Sequence, residues 1–86
     1  MESRSIQTLI VDDEPVARRL LREGLEHIPE IAILGEASNG REALQKIGKL
    51  KPDLVFLDLQ MPVLSGFEVV RALSGPNIPA IIIVRV

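Results

Sequence analysis

Four short, largely apolar runs, separated by turns and by three stretches of different periodicity, limit what this 86-residue chain can fold into. The runs are Ile6 to Val11, Ile31 to Glu36, Leu54 to Leu57 and Ala80 to Val84. They are too short for core helices, rich in Ile, Val and Leu, and bounded by charge, proline or glycine, which is the signature of buried strands. The segments between them repeat at helical spacing. Pro15 supplies a helix start, because proline at the first helical position gives up a donor that would have no partner there anyway. After it Val16, Ala17, Leu20, Leu21, Leu25 and Ile28 form an apolar stripe, with Arg18, Arg19, Arg22, Glu23 and Glu26 mostly between them, and Pro29 ends the helix. Ser38-Asn39-Gly40 reads as a loop and helix cap. Ala43, Leu44, Ile47 and Leu50 give the second helix its stripe, and Phe67, Val69, Val70, Ala72 and Leu73 suggest a short third one.

The resulting order, βαβαβαβ, implies a parallel sheet with right-handed crossovers. Strands without polar alternation are expected to be covered on both faces. In sheets of this doubly wound kind, ligands bind beyond the carboxyl ends of the strands, where the strand order reverses.

Composition excludes several function classes. There is no cysteine, hence no disulfide and no thiolate metal site, and one histidine, His27, cannot build a histidine-rich one. The net charge of −2 offers no basic footprint for nucleic acid. The N-terminal residues do not resemble a signal peptide, and no apolar stretch approaches the length of a membrane span. A cytoplasmic location is expected.

Two of the strands end in acid. The first runs into Asp12-Asp13-Glu14 and the third into Asp58. If these strands are neighbours, three aspartates converge in one crevice, and their mutual repulsion raises at least one pKa. A hard divalent cation relieves that repulsion, and Mg²⁺ is commonly held by one or two carboxylates beside a phosphate oxygen. An aspartate in such a site can attack a phosphoryl group and form an aspartyl phosphate. Taken alone, Asp12-Asp13-Glu14 is explained equally well as acid placed before a helix N-terminus, and Asp58 as a loop cap. Spacing does not say which carboxylate is the nucleophile.

Three segments, Val11-Asp-Asp-Glu-Pro15, Gly35-Glu-Ala-Ser-Asn-Gly40 and Pro52-Asp-Leu-Val-Phe-Leu-Asp-Leu-Gln-Met-Pro62 with Gly66, resemble in order the receiver domain of two-component response regulators. The resemblance implies a flavodoxin-like doubly wound sheet with strand order 2-1-3-4. It implies that Asp58 is the phosphoacceptor, that Asp13 is the direct metal ligand with Asp12 acting mainly through water, and that the backbone carbonyl of Gln60 completes the protein ligands to Mg²⁺. The phosphoryl donor would be a phosphohistidine of a sensor histidine kinase. The wording Asp-Asp-Glu-Pro-x-Ala-Arg is also similar to regulators carrying a LytTR-type DNA-binding domain. Met61 and Pro62 read as loop-shaping residues, and Gly66 as a position whose backbone other residues resist. Arg18, Arg19 and Arg22 read as a solvated face, supported by the Arg19–Glu23 and Arg22–Glu26 spacings; the resemblance adds a kinase-contacting role for that helix. His27 reads as a solvated residue near a helix end.

Receivers carry a hydroxyl residue after the fourth strand and a lysine after a fifth. Here Arg85 falls on the hydroxyl position and Val86 follows it. Residues 1–86 are therefore expected to form a partial receiver domain lacking the fifth strand and the last two helices, with phosphoryl acceptance impaired and Arg85 turned toward Asp58 as a substitute cation. The fourth strand is expected to be an open apolar edge that draws chains into a homodimer or larger assembly. Two other functions compete: an interaction fragment that works through this edge without phosphorylation, and a Mg²⁺-dependent phosphotransfer enzyme acting on small molecules. The last is weakest, because the chain has no Gly-rich phosphate loop and no general base besides its acids.

Overall fold

The computed structural model describes residues 5–58, 66–73 and 78–84. Its elements are β1 (Ile6–Val11), α1 (Pro15–Leu25), β2 (Ile31–Ala37), α2 (Gly40–Leu50), β3 (Leu54–Asp58), α3 (Gly66–Ala72) and β4 (Ala80–Val84). All pairings are parallel, and the sheet order is β2-β1-β3-β4, as expected. Gly66 is the first residue of α3.

Right-handed crossovers put α1 on one face of this sheet and α2 and α3 on the other. The α2–α3 face holds the main core. Leu9 and Val11 of β1 and Val55 and Leu57 of β3 point into it, packed with Ala37, Ala43, Ile47 and Val69. On the α1 face Thr8, Ile10 and Leu25 are buried. The buried Thr8 hydroxyl donates to the Ile6 carbonyl, so no polar group is stranded there.

The expectation of two covered faces holds, among the described residues, for β1 and not for β3 and β4. Among the described residues the helix on the second face is α1, and it packs against β1 and β2. In β3 the residues alternate between buried and half-buried, and in β4 Ile82 and Ile83 stay exposed. The same geometry splits the α1 stripe. Leu21 is half-buried and Leu25 buried, whereas Val16 and Leu20 on the other flank are exposed. The helix also stops earlier than its stripe suggests. The amides of His27 and Ile28 donate to Gly24 and Leu25, three residues back, as the chain tightens ahead of Pro29, which disfavours helical backbone at the residue before it.

The start of α2 follows its sequence signal. Asn39 is the N-cap, its Oδ1 accepting from the Glu42 amide at 2.8 Å. The Glu42 carboxylate accepts in return from the Ser38 amide and hydroxyl. These bonds hold Glu42 below the usual carboxylate range. Asn39→Ala is expected to cost about 1 kcal/mol, measurable as a lower urea midpoint at unchanged slope.

One irregularity proves important for the site. The β1–β2 register shifts between Thr8 and Leu9: Thr8 pairs with Ile33 but Leu9 pairs with Gly35, leaving Leu34 as an extra residue. A bulge of one residue reverses the faces of everything after it. Glu36 thereby becomes the neighbour of Ile10, on the α1 face, and Ala37 the neighbour of Val11, in the main core.

Candidate functional site

The carboxyl ends of β1 and β3 lie side by side, with Val11 opposite Leu57. Each strand delivers its acid at the next position. Asp12, Asp13 and Asp58 each present a carboxylate oxygen, and these oxygens all lie within 4.8 Å of one another. Asp12 is buried, at 3 % exposure, and the other two are half-buried. The backbone fixes Asp12 on one side, its amide donating to the Ala37 carbonyl at 3.0 Å. Its own Oδ1 accepts from the Glu14 amide at 2.9 Å.

These bonds are not those of a helix cap. The N-cap of α1 is Glu14, with no side-chain cap bond, and no acid stands in the first turn of the helix. The aspartates face one another instead. Burial raises the Asp12 pKa most; the Glu14 amide works against this, and repulsion from Asp58 and Asp13, with a hydrogen bond shared with Asp58, pushes it further up. A hard cation with oxygen ligands suits such a donor set, since it neutralises carboxylates that otherwise destabilise one another.

A raised pKa in the folded state means that the fold binds a proton where the unfolded chain does not. Stability is then lost as pH rises from the ordinary aspartate value, about 4, through the raised one. Without divalent cations, Asp12→Asn is expected to stabilise the chain at pH 7, because Asn keeps an acceptor for the Glu14 amide and removes the buried charge. The gain should vanish below about pH 4. Thermal unfolding in EDTA across this range checks it; equal stability of the two proteins at pH 7 would contradict the electrostatic reading.

Asp12, Asp13 and Asp58 are thus brought together as the sequence suggests. Gln60, Met61, Pro62, Arg85 and Val86 lie outside the described residues. One feature of the site has no counterpart in the sequence reading. Arg18, expected on a solvated face, has a side chain only 19 % exposed. Its Nη1 donates to the Asp12 carbonyl at 2.7 Å and its Nε to Glu36 at 3.0 Å. Arg22 takes the other Glu36 oxygen at 2.7 Å and also forms the anticipated pair with Glu26, at 3.6 Å. The only hint in the sequence is the pair of arginines four residues apart with an unassigned glutamate at a strand end.

Residues 8–85 match the family model described as the response regulator receiver domain. The chain belongs to that family. Similar curated proteins include the transcriptional regulatory protein BtsR of Escherichia coli (strain K12), 48 % identical over 77 residues, which cover 90 % of this chain and 32 % of that protein. The protein-glutamate methylesterase/protein-glutamine glutaminase of a Nocardioides species is 46 % identical over 78 residues, covering 88 % of this chain but 21 % of that protein. The receiver domain described here thus spans about a third or less of these relatives. Among solved structures, the response regulator domain of Thermotoga maritima CheB aligns with a TM-score of 0.77 and 37 % identity, over 79 % of this chain and 51 % of that one. The signal receiver domain of a modulated diguanylate cyclase from Desulfovibrio desulfuricans G20 aligns with a TM-score of 0.80 and 32 % identity, over 91 % of this chain and 62 % of that one. This sheet places Asp12, Asp13 and Asp58 beyond the carboxyl ends of β1 and β3, the region in which doubly wound sheets bind ligands. No described helix of this receiver is long and apolar enough to cross a membrane.

Proposed function

We propose that this receiver domain accepts a phosphoryl group on Asp58 from a phosphohistidine of a sensor histidine kinase, using Mg²⁺ held by Asp12, Asp13, Asp58 and the backbone carbonyl of Gln60. The observation that carries this reading is the convergence of three carboxylates from two adjacent strand ends. A carboxylate oxygen of Asp58 forms the new bond to phosphorus while the phosphorus–nitrogen bond of the donor breaks, and the electron pair of that bond returns to the imidazole. The product is an acyl phosphate on Asp58. The cation, when bound, supplies positive charge for the phosphoryl oxygens and for the crowded carboxylates. Asp58 ends β3, one residue beyond the Leu57–Val11 pair and opposite Val84 of β4, and its carboxylate lies beside those of Asp12 and Asp13.

In this reading the domain is a signalling module, not a turnover enzyme. It works in the cytoplasm and makes no nucleic-acid contact through this segment. Incubation with labelled acetyl phosphate tests it: uptake should require Mg²⁺ and should be released by hydroxylamine, which cleaves acyl phosphates. Label that resists hydroxylamine would point to another residue type.

A second reading, assembly through β4 without phosphorylation, draws on one observation. Ile78, Ile82 and Ile83 are 51 %, 45 % and 43 % exposed along the outermost described strand and its approach. Hydroxylamine-labile uptake in an associated species would contradict this second reading, because the assembled chain would then be phosphorylated.

A further inference from the structure

Between the acidic pocket and the exposed face of α1 lies an ion cluster that phosphoryl acceptance does not use. Glu36 occupies its centre. The one-residue bulge at Leu34 turns it to the α1 face, where Arg18 takes one carboxylate oxygen and Arg22 the other. Its backbone carbonyl accepts from Lys46 of α2. Glu36 is thus held from both faces of the sheet, and it presents a fixed anchor to Arg18.

What Arg18 does with that anchor is specific. Its guanidinium is a planar fork whose donors have fixed relative directions. With Nε on Glu36, Nη1 falls on the Asp12 carbonyl. That carbonyl belongs to the peptide plane whose other half is the Asp13 amide. Fixing the oxygen fixes the plane, and with it the direction in which the Asp13 Cα leaves the strand. The Asp12 amide is already held by β2 and the Asp12 side chain by Glu14. Asp13 lies between β1 and α1, so the peptide that leads into it is the remaining hinge of the pocket.

We propose that Arg18 is a positioning residue for Asp13, clamping the Asp12–Asp13 peptide from the Glu36 anchor so that the Asp13 carboxylate is preset for a divalent cation. This rests on the reading of Asp12, Asp13 and Asp58 as a Mg²⁺ site.

Charge and positioning make opposite predictions here. Arg18 is a cation close to an anionic pocket, so by charge alone its removal tightens Mg²⁺ binding. By positioning, its removal weakens binding, because partners that orient a ligand typically contribute about 10- to 100-fold to metal affinity. The experiment is a Mg²⁺ titration of the 86-residue chain, followed by the amide resonance of Asp13 and by calorimetry. Arg18→Gln is expected to raise the Mg²⁺ dissociation constant by about tenfold and to shift the Asp13 amide resonance before any cation is added. Arg19→Gln removes the same charge from an exposed neighbouring position and should leave the constant near that of the parent or slightly lower. Arg18→Lys keeps the charge but not the fork, and it should also bind more weakly than the parent; it decides the matter if Arg18→Gln fails to fold. Binding by Arg18→Gln or Arg18→Lys as tight as the parent, or an equal loss in Arg19→Gln, overturns the proposal. If the parent itself binds no Mg²⁺, or Asp13→Asn binds it equally well, the metal-site reading falls and this proposal with it. A parent that binds and an Asp13→Asn that does not, together with an unaffected Arg18→Gln, overturns the positioning role alone.

Discussion

Saturating Mg²⁺ is expected to stabilise the chain by about 1–3 kcal/mol once the ion is well above its dissociation constant, by mass action on the folded state. The source of this gain is the strain of the unliganded pocket. Three carboxylates lie with oxygens within 4.8 Å of one another, and one of them is buried. Each repels the others through a medium less polar than water. A divalent ion converts that repulsion into coordination, and only the folded chain brings the three ligands together. Asp13→Asn should remove most of the response to Mg²⁺ while raising stability in its absence, since one of the repelling charges is gone. The pair of results is diagnostic, because a general salt effect would stabilise both proteins alike. Thermal unfolding in EDTA and in millimolar Mg²⁺ at constant ionic strength measures it. An unfolding temperature that ignores Mg²⁺ would mean that the carboxylates do not act together.

The second large effect is expected in size. The 86-residue chain should form dimers or larger assemblies through β4. That strand is the edge of the four described, and its segment Ala80–Val84 is wholly aliphatic. Ile82 is 45 % exposed on the α1 face of the sheet and Ile83 43 % exposed on the opposite face. Fully burying such a side chain is worth about 1.5–3 kcal/mol, against a net stability of about 5–15 kcal/mol for a whole domain. An unprotected edge also presents unpaired amides and carbonyls to another strand. Two chains can satisfy both by pairing β4 with β4 across a two-fold axis. Ile82→Lys places a charge in that contact and should shift the chain toward monomer. Sedimentation over a tenfold concentration range is the check. A compact monomer throughout, with Ile82→Lys unchanged in size, would show the edge to be protected.

Much of this architecture was legible in the residues because it depends on local pattern. The apolar runs Ile6 to Val11 and Leu54 to Leu57 mark β1 and β3, and Pro15 and Asn39 mark the helix starts, each through a mechanism confined to a few neighbours. The pocket was legible for a related reason. Acid at the ends of two strands becomes a cluster as soon as the strands are adjacent, and resemblance to a known fold supplied the adjacency. What escaped depends on partners distant in sequence. The stripe of α1 gives no sign that Leu25 is buried while Val16 and Leu20 face outward, since that is settled by how far the helix reaches across the sheet. Glu36 is an even clearer case. Which face it occupies turns on a single extra residue in β2, and nothing in Ile31 to Ala37 announces where the register slips. Without that parity, Arg18 and Arg22 look like ordinary surface cations, although both reach across from α1 to the same carboxylate.

If the three aspartates form one site serving phosphoryl transfer to Asp58, the acyl phosphate forms there and nowhere else. The most direct test traps the product. After incubation with acetyl phosphate and Mg²⁺, borohydride reduction converts a phosphorylated aspartate to homoserine, and peptide mass mapping locates it. The expected result is conversion at Asp58 alone, dependent on Mg²⁺ and lost in Asp13→Asn. Conversion at Asp12 or Asp13, or phosphoryl uptake that survives Asp58→Asn, would contradict it.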